Sequence, residues 1–475
     1  MDLKFTSHVD VWRAVRPLII GMAAWVPAAW VSAAPTERAT PEAVQAIVID
    51  ALRRYEVPAA SVAIVAGGRI IHVAAYGQDR LDPPRSAQPS ARYAIGSITK
   101  QFVAAALLLL QEDGKLSLDD EAGRHLSGLG SASKVTLRQL LSHTGGVTEY
   151  MPQDYVTPKE RQPTTATDLV AELATHPLDF EPGTHWQYSN GGYVIAGRVV
   201  ERVSGQPLID FLRSRIFAPL GMSTVIDTDP GLGAADAVGT TRRGLGPIRT
   251  ASRFGRGWMQ AAGGLAMTAE DLARWALAMI ERRLLSARSW QQLATESLLV
   301  DGTPTRYGLG VTVGRRHGRL EVAHDGSIPG YFALLSVHPT QASAVVVLTN
   351  RDHGGAASAI QGQLRDLLLE STATEDPSRT ALDLQVLEGL IKGTIDRKRL
   401  SANAADYFSQ EALADLAAGL APLGPIRSMR PTNGGILGGI DFVAYQIRFD
   451  SRTLVVTSRR LSDGRIEQFT VDAAD

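Results

Sequence analysis

Ser97 and Lys100 stand three residues apart in the segment Ser-Ile-Thr-Lys, a spacing that places two side chains on the same face of a helix. A serine hydroxyl is a poor nucleophile until a neighbouring group accepts its proton. A lysine can accept it when burial beside other polar groups lowers the pKa of its amine. The segment therefore predicts nucleophilic catalysis by Ser97, with Lys100 in an acid/base role and the Ser97 backbone N–H directed at the developing oxyanion.

A second copy of this pattern, Ser-Ala-Ser-Lys at residues 131–134, shows that the spacing alone is not specific. That copy lies in a turn rich in Gly and Ser, where nothing apolar would bury its lysine. Ser97 instead opens the most apolar run of the chain, residues 102–110, which is long enough for a buried helix. The context therefore favours Ser97 over Ser131 as the nucleophile.

The only Tyr-x-Asn of the chain is formed by Tyr188 and Asn190. A tyrosine hydroxyl near a lysine can relay a proton to a leaving group, and an asparagine amide can orient a substrate carbonyl. The alternative is structural: a loop tyrosine followed by a turn asparagine, just ahead of the two glycines at 191–192.

A histidine, an aspartate, a glycine and a serine follow one another at positions 324–327, where a predicted strand ends. His143 and His353 also fit the pattern His-x-Gly, but only His324 leads into a hairpin of two apolar strands. At such a strand edge Gly326 would let a substrate lie against the backbone, and Ser327 would supply a second N–H to an oxyanion hole.

The surrounding elements predict an α/β (α+β) protein. Apolar or alternating strands are predicted at residues 61–66, 69–75, 307–313, 320–323, 331–337 and 344–348. Helices are predicted from Pro41, at 102–110, at 135–141, at 191–203 and after Thr268. Strands at both ends of this region, with helices between them, indicate one sheet built from its two termini.

The patterns at Ser97, Tyr188 and His324 occur in the order and rough spacing of the class C β-lactamase family, and the chain resembles that family. The family includes serine D,D-peptidases, D-aminopeptidases and related esterases. The segments AIGSITKQFVAAALLLLQEDGKLSLDD, LLSHTGGVTEY, AAGGLAMTAEDLARW and HDGSIPGYFALLSVHP resemble its signatures more strongly than the triplets do. The resemblance runs from about Pro41 to about Leu369.

This resemblance implies a β-lactamase/transpeptidase-like fold, in which a mostly antiparallel sheet is flanked by helices and a helical subdomain adjoins the active site. It implies that Ser97 is acylated and that water hydrolyses the ester. Lys100 and Tyr188 would share the acid/base work, and which of them deprotonates Ser97 stays open. The substrate and oxyanion residues would be Asn190, His324, Gly326 and Ser327. The family needs no metal and no cofactor.

One departure from the family bears on the substrate. True β-lactamases of this class carry Lys-Thr-Gly where this chain has His324-Asp325-Gly326. The lysine and threonine there help to hold the carboxylate of the substrate, whereas the side chain of Asp325 would repel it if it faces the pocket. We therefore expect neutral esters, or peptides with a free amino group, to be preferred over β-lactams.

The first 34 residues have the layout of a secretory signal peptide. Lys4, Arg13 and Arg16 precede an apolar run at 17–34, which ends in small residues. We therefore expect a periplasmic or secreted protein, with an uncleaved membrane anchor as the alternative. No later segment is long and apolar enough to form a stable membrane span.

We divide the chain into a signal peptide (1–34), a hydrolase domain (35–370), a polar linker (371–380) and a small α+β accessory domain (381–475). In the last part, helices are predicted at 382–391 and 410–420, a strand at 443–449, and a hairpin around Asp463-Gly464. This part resembles the NTF2/cystatin-like accessory domains that some of these hydrolases carry.

Composition removes several classes of function. The chain has no cysteine, which excludes a thiol nucleophile, a disulfide framework and a thiolate metal site. Its formal net charge of −1 shows no charge imbalance that would point to nucleic acid or to an anionic membrane surface as a partner. We expect a small-molecule or peptide substrate, with peptidoglycan fragments among the candidates. The alternatives are a non-catalytic penicillin- or peptidoglycan-binding relative, a true β-lactamase, and a protein whose working part is the C-terminal domain.

Overall fold

The computed structural model describes residues 39–473 except 153–154, 230, 245, 317–318, 353, 370–376 and 438–439. The signal peptide that we predict at 1–34, His353 and most of the predicted linker lie outside the described residues. The described part of the predicted linker, residues 377–380, is not extended, because it forms the first turn of the helix Pro377–Ile391.

The described chain forms thirteen α-helices joined by short 3₁₀ turns and one π-helical turn. They are α1 Pro41–Arg54, α2 Thr99–Glu112, α3 Leu137–Leu141, α4 Ala166–Leu173, α5 Asn190–Ser204, α6 Leu208–Leu212, α7 Gln260–Gly263, α8 Ala269–Glu281, α9 Ala287–Leu293, α10 Gly355–Leu368, α11 Pro377–Ile391, α12 Ala402–Tyr407 and α13 Gln410–Leu420. Thr40, Thr136 and Thr268 cap the helices that follow them, as the sequence predicts for Thr40 and Thr268.

Sixteen β-strands are described. They are β1 Ala59–Ala66, β2 Arg69–Leu81, β3 Pro84–Ser86, β4 Tyr93–Ala94, β5 Ile226–Asp227, β6 Thr240–Thr241, β7 Arg249–Thr250, β8 Leu265–Met267, β9 Thr312–Arg316, β10 Arg319–Ile328, β11 Tyr331–His338, β12 Ser343–Thr349, β13 Ser428–Leu437, β14 Ile440–Arg448, β15 Thr453–Arg460 and β16 Ile466–Ala473. The predicted hairpin of β1 and β2 turns at Gly67 and Gly68, both of which have positive φ.

The main sheet has seven strands in the order β3-β2-β1-β12-β11-β10-β9. All its pairings are antiparallel, and β1 lies directly against β12, with Ala60 opposite Thr349. The prediction that both termini of this region build one sheet is therefore confirmed.

The central strands are buried on both faces. Along β1, Ala63 and Val65 belong to one hydrophobic core, whereas Val62 and Ile64 belong to a second core on the opposite face. Helices α1 and α10 cover the second core, and the larger first core is formed by α2 and the helices between β4 and β9. The continuous apolar sequence of β1 follows from this burial on two faces.

Helix α2 runs through the larger core. Every residue from Phe102 to Leu110 is buried, which confirms the buried helix predicted for that run. Because α2 begins directly after the turn Gly96–Ile98, this packing fixes the position of the candidate nucleophile Ser97.

One predicted strand is wrong in its position. The apolar segment 307–313 is not a strand over its length, since β9 begins only at Thr312. Gly310 has a φ of +72°, and the chain turns there because Gly308 donates a hydrogen bond to the carbonyl oxygen of Val311. The turn directs Tyr307 inward, where its hydroxyl meets His324.

The C-terminal part contains α11–α13 and a four-stranded antiparallel sheet in the order β13-β14-β15-β16. It has a core of its own, and the buried carboxylate of Asp383 accepts hydrogen bonds from Tyr445, Ser458 and Arg460. The predicted hairpin at Asp463-Gly464 joins β15 to β16. No helix among the described residues is long and apolar enough to cross a membrane.

Candidate active site

The turn Gly96–Ile98 presents Ser97 at the start of α2. Gly96 has a φ of +50°, and a Cβ placed on it would lie 3.0 Å from the backbone nitrogen of Ser327. Glycine is therefore required at position 96 both for its left-handed backbone and for the close approach of β10. The serine consequently lies directly beside the edge of a rigid strand.

Lys100 lies one turn further along α2 and is fully buried. Its Nζ atom lies 3.0 Å from the Ser97 Oγ atom, 2.7 Å from Asn190 Oδ1 and 2.7 Å from the carbonyl oxygen of Ala262. An ammonium group has three N–H donors, and these three acceptors use all of them.

Burial lowers the pKa of Lys100 to about 7, although the carboxylates of Glu149 and Asp325 oppose the fall. At neutral pH the neutral amine is therefore well populated. The neutral amine can donate to Asn190 and Ala262 and use its lone pair to accept the Ser97 proton. The same geometry thus serves both protonation states of the lysine.

Tyr188 lies beside the amine of Lys100. The Lys100 Nζ atom lies 4.8 Å from the centre of the Tyr188 ring, and the tyrosine hydroxyl is hydrogen-bonded with Ser97. Burial raises the pKa of Tyr188 well above its ordinary value, while this hydrogen bond opposes the rise. Tyr188 is therefore a protonated hydroxyl at neutral pH, suited to pass a proton rather than to hold a negative charge.

Asn190 is the first residue of α5, and the Ser189 hydroxyl caps that helix by accepting from Gly192 N–H. The backbone N–H of Asn190 donates to Glu149 Oε2 at 2.6 Å. Because the asparagine Oδ1 faces Lys100, its amide nitrogen is left to donate to a substrate. Residues 188–190 are thus held by a helix start and by a carboxylate from another segment.

His324 is buried within β10, and its Nδ1 atom lies 2.5 Å from the carbonyl oxygen of Asp325. A carbonyl only accepts, so Nδ1 carries the proton and Nε2 accepts from the Tyr307 hydroxyl at 2.7 Å. Burial lowers the pKa of His324 to about 4, and the nearby charge of Lys100 contributes to the fall. The histidine is therefore neutral at pH 7 and holds Tyr307 in place.

Strand β10 crosses the turn Gly96–Ile98 at Gly326. A Cβ on Gly326 would lie 1.8 Å from the carbonyl oxygen of Ile95 and 3.0 Å from the backbone nitrogen of Ser97. The crossing brings the backbone N–H groups of Ser97 and Ser327 to the same place, which is the arrangement that an oxyanion hole needs.

Asp325 is exposed and lines a cavity of about 430 Å³ beside the nucleophile. We call this the aspartate cavity, and its walls include Trp186, Tyr188, Tyr307, His324 and Asp325. Glu321 and the exposed Arg306 also line it. The carboxylate of Asp325 also lies near enough to Lys100 to favour the charged form of its amine.

Sequence reasoning missed three side chains of the site, those of His143, Glu149 and Tyr307, and the carbonyl oxygen of Ala262 that accepts from Lys100. His143 lies beneath Tyr188, with ring centres 4.2 Å apart, and its Nδ1 atom accepts from the Ser189 N–H at 3.1 Å. His143 and Glu149 fall within the segment LLSHTGGVTEY, which resembles a signature of the family. That resemblance was the only feature of the sequence that could have pointed to these two residues. Tyr307 was missed because the sequence predicted a strand there, and a strand gives no indication that its side chain turns inward to contact His324.

The competing Ser-x-x-Lys copy is far from these groups. Ser131 is exposed and donates to the carbonyl oxygen of His176, and Lys134 is exposed as well. Among the residues that the structure describes, the hydrogen-bond partner of the Ser131 hydroxyl is this carbonyl oxygen, which is too weak a base to deprotonate a serine. The preference for Ser97 is in this respect supported by the environment of the two serines.

Comparison with known proteins identifies the family and the fold. The family model described as Beta-lactamase matches residues 44–370. The chain is 25% identical over 310 residues to Protein flp of Staphylococcus aureus (strain MRSA252), a match that covers 63% of this chain and 60% of that protein. It is also 25% identical over 316 residues to Penicillin-binding protein 4* of Bacillus subtilis (strain 168), covering 60% of this chain and 66% of that protein.

A solved structure gives the same picture. The crystal structure of a D-stereospecific amidohydrolase from Streptomyces sp. matches with a TM-score of 0.60 and 27% identity, over 69% of this chain and 99% of that one. The fold is therefore the β-lactamase/transpeptidase-like fold expected from the sequence. The family match over residues 44–370 makes this chain a member of the Beta-lactamase family of serine hydrolases.

Proposed function

We propose that the protein is an exported serine hydrolase that forms an acyl-enzyme on Ser97 with esters or with amides and peptides that contain D-amino acids. The observation that carries the proposal is the contact of the fully buried Lys100 with the Ser97 hydroxyl at 3.0 Å. A lysine whose pKa is lowered to about 7 can accept that proton at neutral pH.

The reaction would proceed in two steps. In the first, Lys100 accepts the Ser97 proton while Oγ bonds to the substrate carbonyl carbon, and the N–H groups of Ser97 and Ser327 hold the oxyanion. The bond to the leaving group then breaks, and that group takes a proton delivered through Tyr188. In the second, water attacks the ester and restores Ser97.

The aspartate cavity bears on the substrate class. Because Tyr188 lines it, the leaving group would lie there, beside the carboxylate of Asp325. A leaving group with its own carboxylate, as in a β-lactam or a C-terminal D-Ala-D-Ala peptide, would be repelled. Neutral esters and D-amino-acid amides avoid that repulsion, and the likeness to a D-stereospecific amidohydrolase supports the amide class.

The test is a substrate panel run on three forms of the protein. The panel holds p-nitrophenyl esters, D-amino-acid amides, D-Ala-D-Ala peptides and a chromogenic cephalosporin, and the forms are wild type, Ser97→Ala and the matched control Ser131→Ala. We expect ester or amide turnover in wild type and Ser131→Ala but not in Ser97→Ala, with mass spectrometry showing an acyl adduct on Ser97.

Other outcomes would favour the other readings. Rapid cephalosporin turnover would indicate a true β-lactamase and would contradict the role given to Asp325. Absence of turnover and of any Ser97 adduct would favour the non-catalytic binding relative. Export through residues 1–34 is tested separately, by fractionating cells and measuring the N-terminal residue of the recovered protein. Cleavage after Ala33 or Ala34 supports export, and intact cytoplasmic protein contradicts it.

A further inference from the structure

A second cavity, of about 370 Å³, is lined by Ile328, which follows Ser327 in β10, and it shares no lining residue with the aspartate cavity. We call it the arginine cavity. Its walls include Asp229, Arg253, Phe254, Arg256, Met259 and Ile328. The catalytic groups described above do not line it, so it is not part of the machinery for proton transfer.

The arginine cavity shares its inner wall with the turn of the nucleophile. Ile328 directly follows Ser327, whose backbone nitrogen lies 3.0 Å from the position of a Cβ on Gly96. The Met259 methyl group lies 2.5 Å from the position of a Cβ on Gly263, and the same position is 3.6 Å from the Cα atom of Gly96. A substrate held at Ser97 that runs on past Ser327 would therefore enter this cavity.

The charge of the cavity is positive. Arg253 and Arg256 are exposed, and among the residues that the structure describes neither guanidinium donates a hydrogen bond or pairs with a carboxylate. Asp229 is the carboxylate among the lining residues, and its Oδ2 atom already accepts from Gly257 N–H at 3.0 Å. The lining thus holds two guanidinium groups and one carboxylate, beside the apolar surface of Phe254 and Met259. The carboxyl of Asp227 lies nearby: burial raises its pKa, and the charge of Arg256 opposes that rise.

Proton transfer decides which half of the substrate reaches the arginine cavity. The leaving group receives its proton from the side of Tyr188 and Lys100, and Tyr188 lines the aspartate cavity. The acyl half must then lie on the other side of Ser97, beyond Ser327. The two cavities therefore receive the two halves of one substrate, the leaving group beside Asp325 and the acyl group beside the arginines.

We propose that the arginine cavity selects substrates whose acyl group carries an anion, such as a carboxylate, at the end of a short apolar arm. The guanidinium groups would pair with the anion, and Phe254, Met259 and Ile328 would contact the arm. This inference rests on the proposed function and adds the charge and shape of the acyl half to it.

The test compares two esters that differ only in one charge: the p-nitrophenyl hemiester of adipic acid and its methyl ester. We expect kcat/KM to be about tenfold higher for the anionic ester, which corresponds to one well-formed charge pair of about 1.4 kcal/mol. In the double variant Arg253→Ala/Arg256→Ala the ratio should fall to about one, and in Arg253→Glu it should fall below one.

The matched control is Arg69→Ala, which removes an exposed arginine on β2 and should keep the wild-type ratio. The preference should also weaken as salt is added, because the arginines are exposed. A ratio near one in wild type, or a preference that survives the double variant, would overturn the inference. If the neutral ester is turned over through Ser97 in that case, the proposed function stands. If neither ester acylates Ser97, both proposals fall together.

Discussion

A side chain on Gly326 would begin 1.8 Å from the carbonyl oxygen of Ile95, so β10 and the turn of the nucleophile touch backbone to backbone. Gly326→Ala must separate them and thereby move the Ser327 N–H away from the oxyanion. We expect kcat/KM for an ester to fall by about 100-fold or more, the usual cost of losing one oxyanion-hole donor.

The matched control is Gly362→Ala on α10, where a Cβ would meet only the Arg365 guanidinium, at 3.9 Å. Both variants are checked for folding by circular dichroism before the kinetics are measured. Full activity in folded Gly326→Ala would mean that the N–H of Ser327 does not stabilise the transition state.

The pH dependence of kcat/KM should report the pKa of Lys100. Only the neutral amine can accept the Ser97 proton, so kcat/KM should rise with pH, with a midpoint at about pH 7. The carboxylate of Asp325 favours the charged amine and raises that pKa. Asp325→Asn should therefore shift the midpoint to lower pH, whereas Asp366→Asn, at an exposed position on α10, should not. A midpoint that moves upward or stays fixed in Asp325→Asn would contradict the assignment of Lys100 as the base.

His143 positions Tyr188 rather than touching the substrate. Its φ of +60° places the ring beneath the tyrosine, and its Nδ1 atom holds the Ser189 N–H. His143→Leu should lower kcat by about 10- to 100-fold with little change in KM, because a small displacement of a proton donor is costly. His143→Asn should restore much of the loss, since asparagine tolerates this backbone and can accept the same hydrogen bond.

The control for His143 is His176→Leu, which changes an exposed histidine. A purely structural role would predict equal losses in His143→Leu and His143→Asn that follow their melting temperatures. That result, or a rise in KM with kcat unchanged, would remove His143 from the site.

A substitution that destabilises the C-terminal part should leave ester hydrolysis by the hydrolase region unchanged. Asp383 is fully buried and accepts from Tyr445, Ser458 and Arg460, so Asp383→Ala leaves buried donors unpaired. We expect a loss of about 3–5 kcal/mol in the unfolding free energy of that part, as for other broken buried ion pairs. The exposed Asp406 supplies the control, Asp406→Ala.

Calorimetry and ester hydrolysis are measured on the same full-length samples. A separate, lower transition with unchanged ester turnover would support an accessory domain with its own core. Parallel loss of turnover in Asp383→Ala would show instead that the hydrolase depends on the C-terminal part.

The fold was largely predictable because strong periodic patterns and turn residues mark its elements. The apolar run of α2 and the hairpins at Gly67-Gly68 and Asp463-Gly464 are read correctly, since local preference and tertiary burial agree there. Strand β13 was not predicted, because Pro431 and two glycines interrupt its pattern. The segment 307–313 was misread because apolar residues that turn inward look the same in sequence as a strand.

The candidate site was only partly predictable. Ser97, Lys100, Tyr188 and His324 were singled out by type and spacing, and the structure brings them together. Glu149 and Ala262 were not singled out. Glu149 accepts from the Asn190 N–H through a side-chain oxygen, and Ala262 accepts from Lys100 through its backbone carbonyl; each lies far along the chain from its partner. Sequence spacing describes neighbours on one element, whereas these contacts are made between elements.

The pairing of β1 with β12 has a consequence for the folding of the hydrolase region. Ser97 belongs to the first quarter of the chain, yet the strand that completes its surroundings is held in a sheet that closes only when Thr349 meets Ala60. Closing so long a loop is slow and comes late in folding. We therefore expect a growing or truncated chain that ends before that point to be catalytically silent, because nearly the whole hydrolase region is needed to close the sheet.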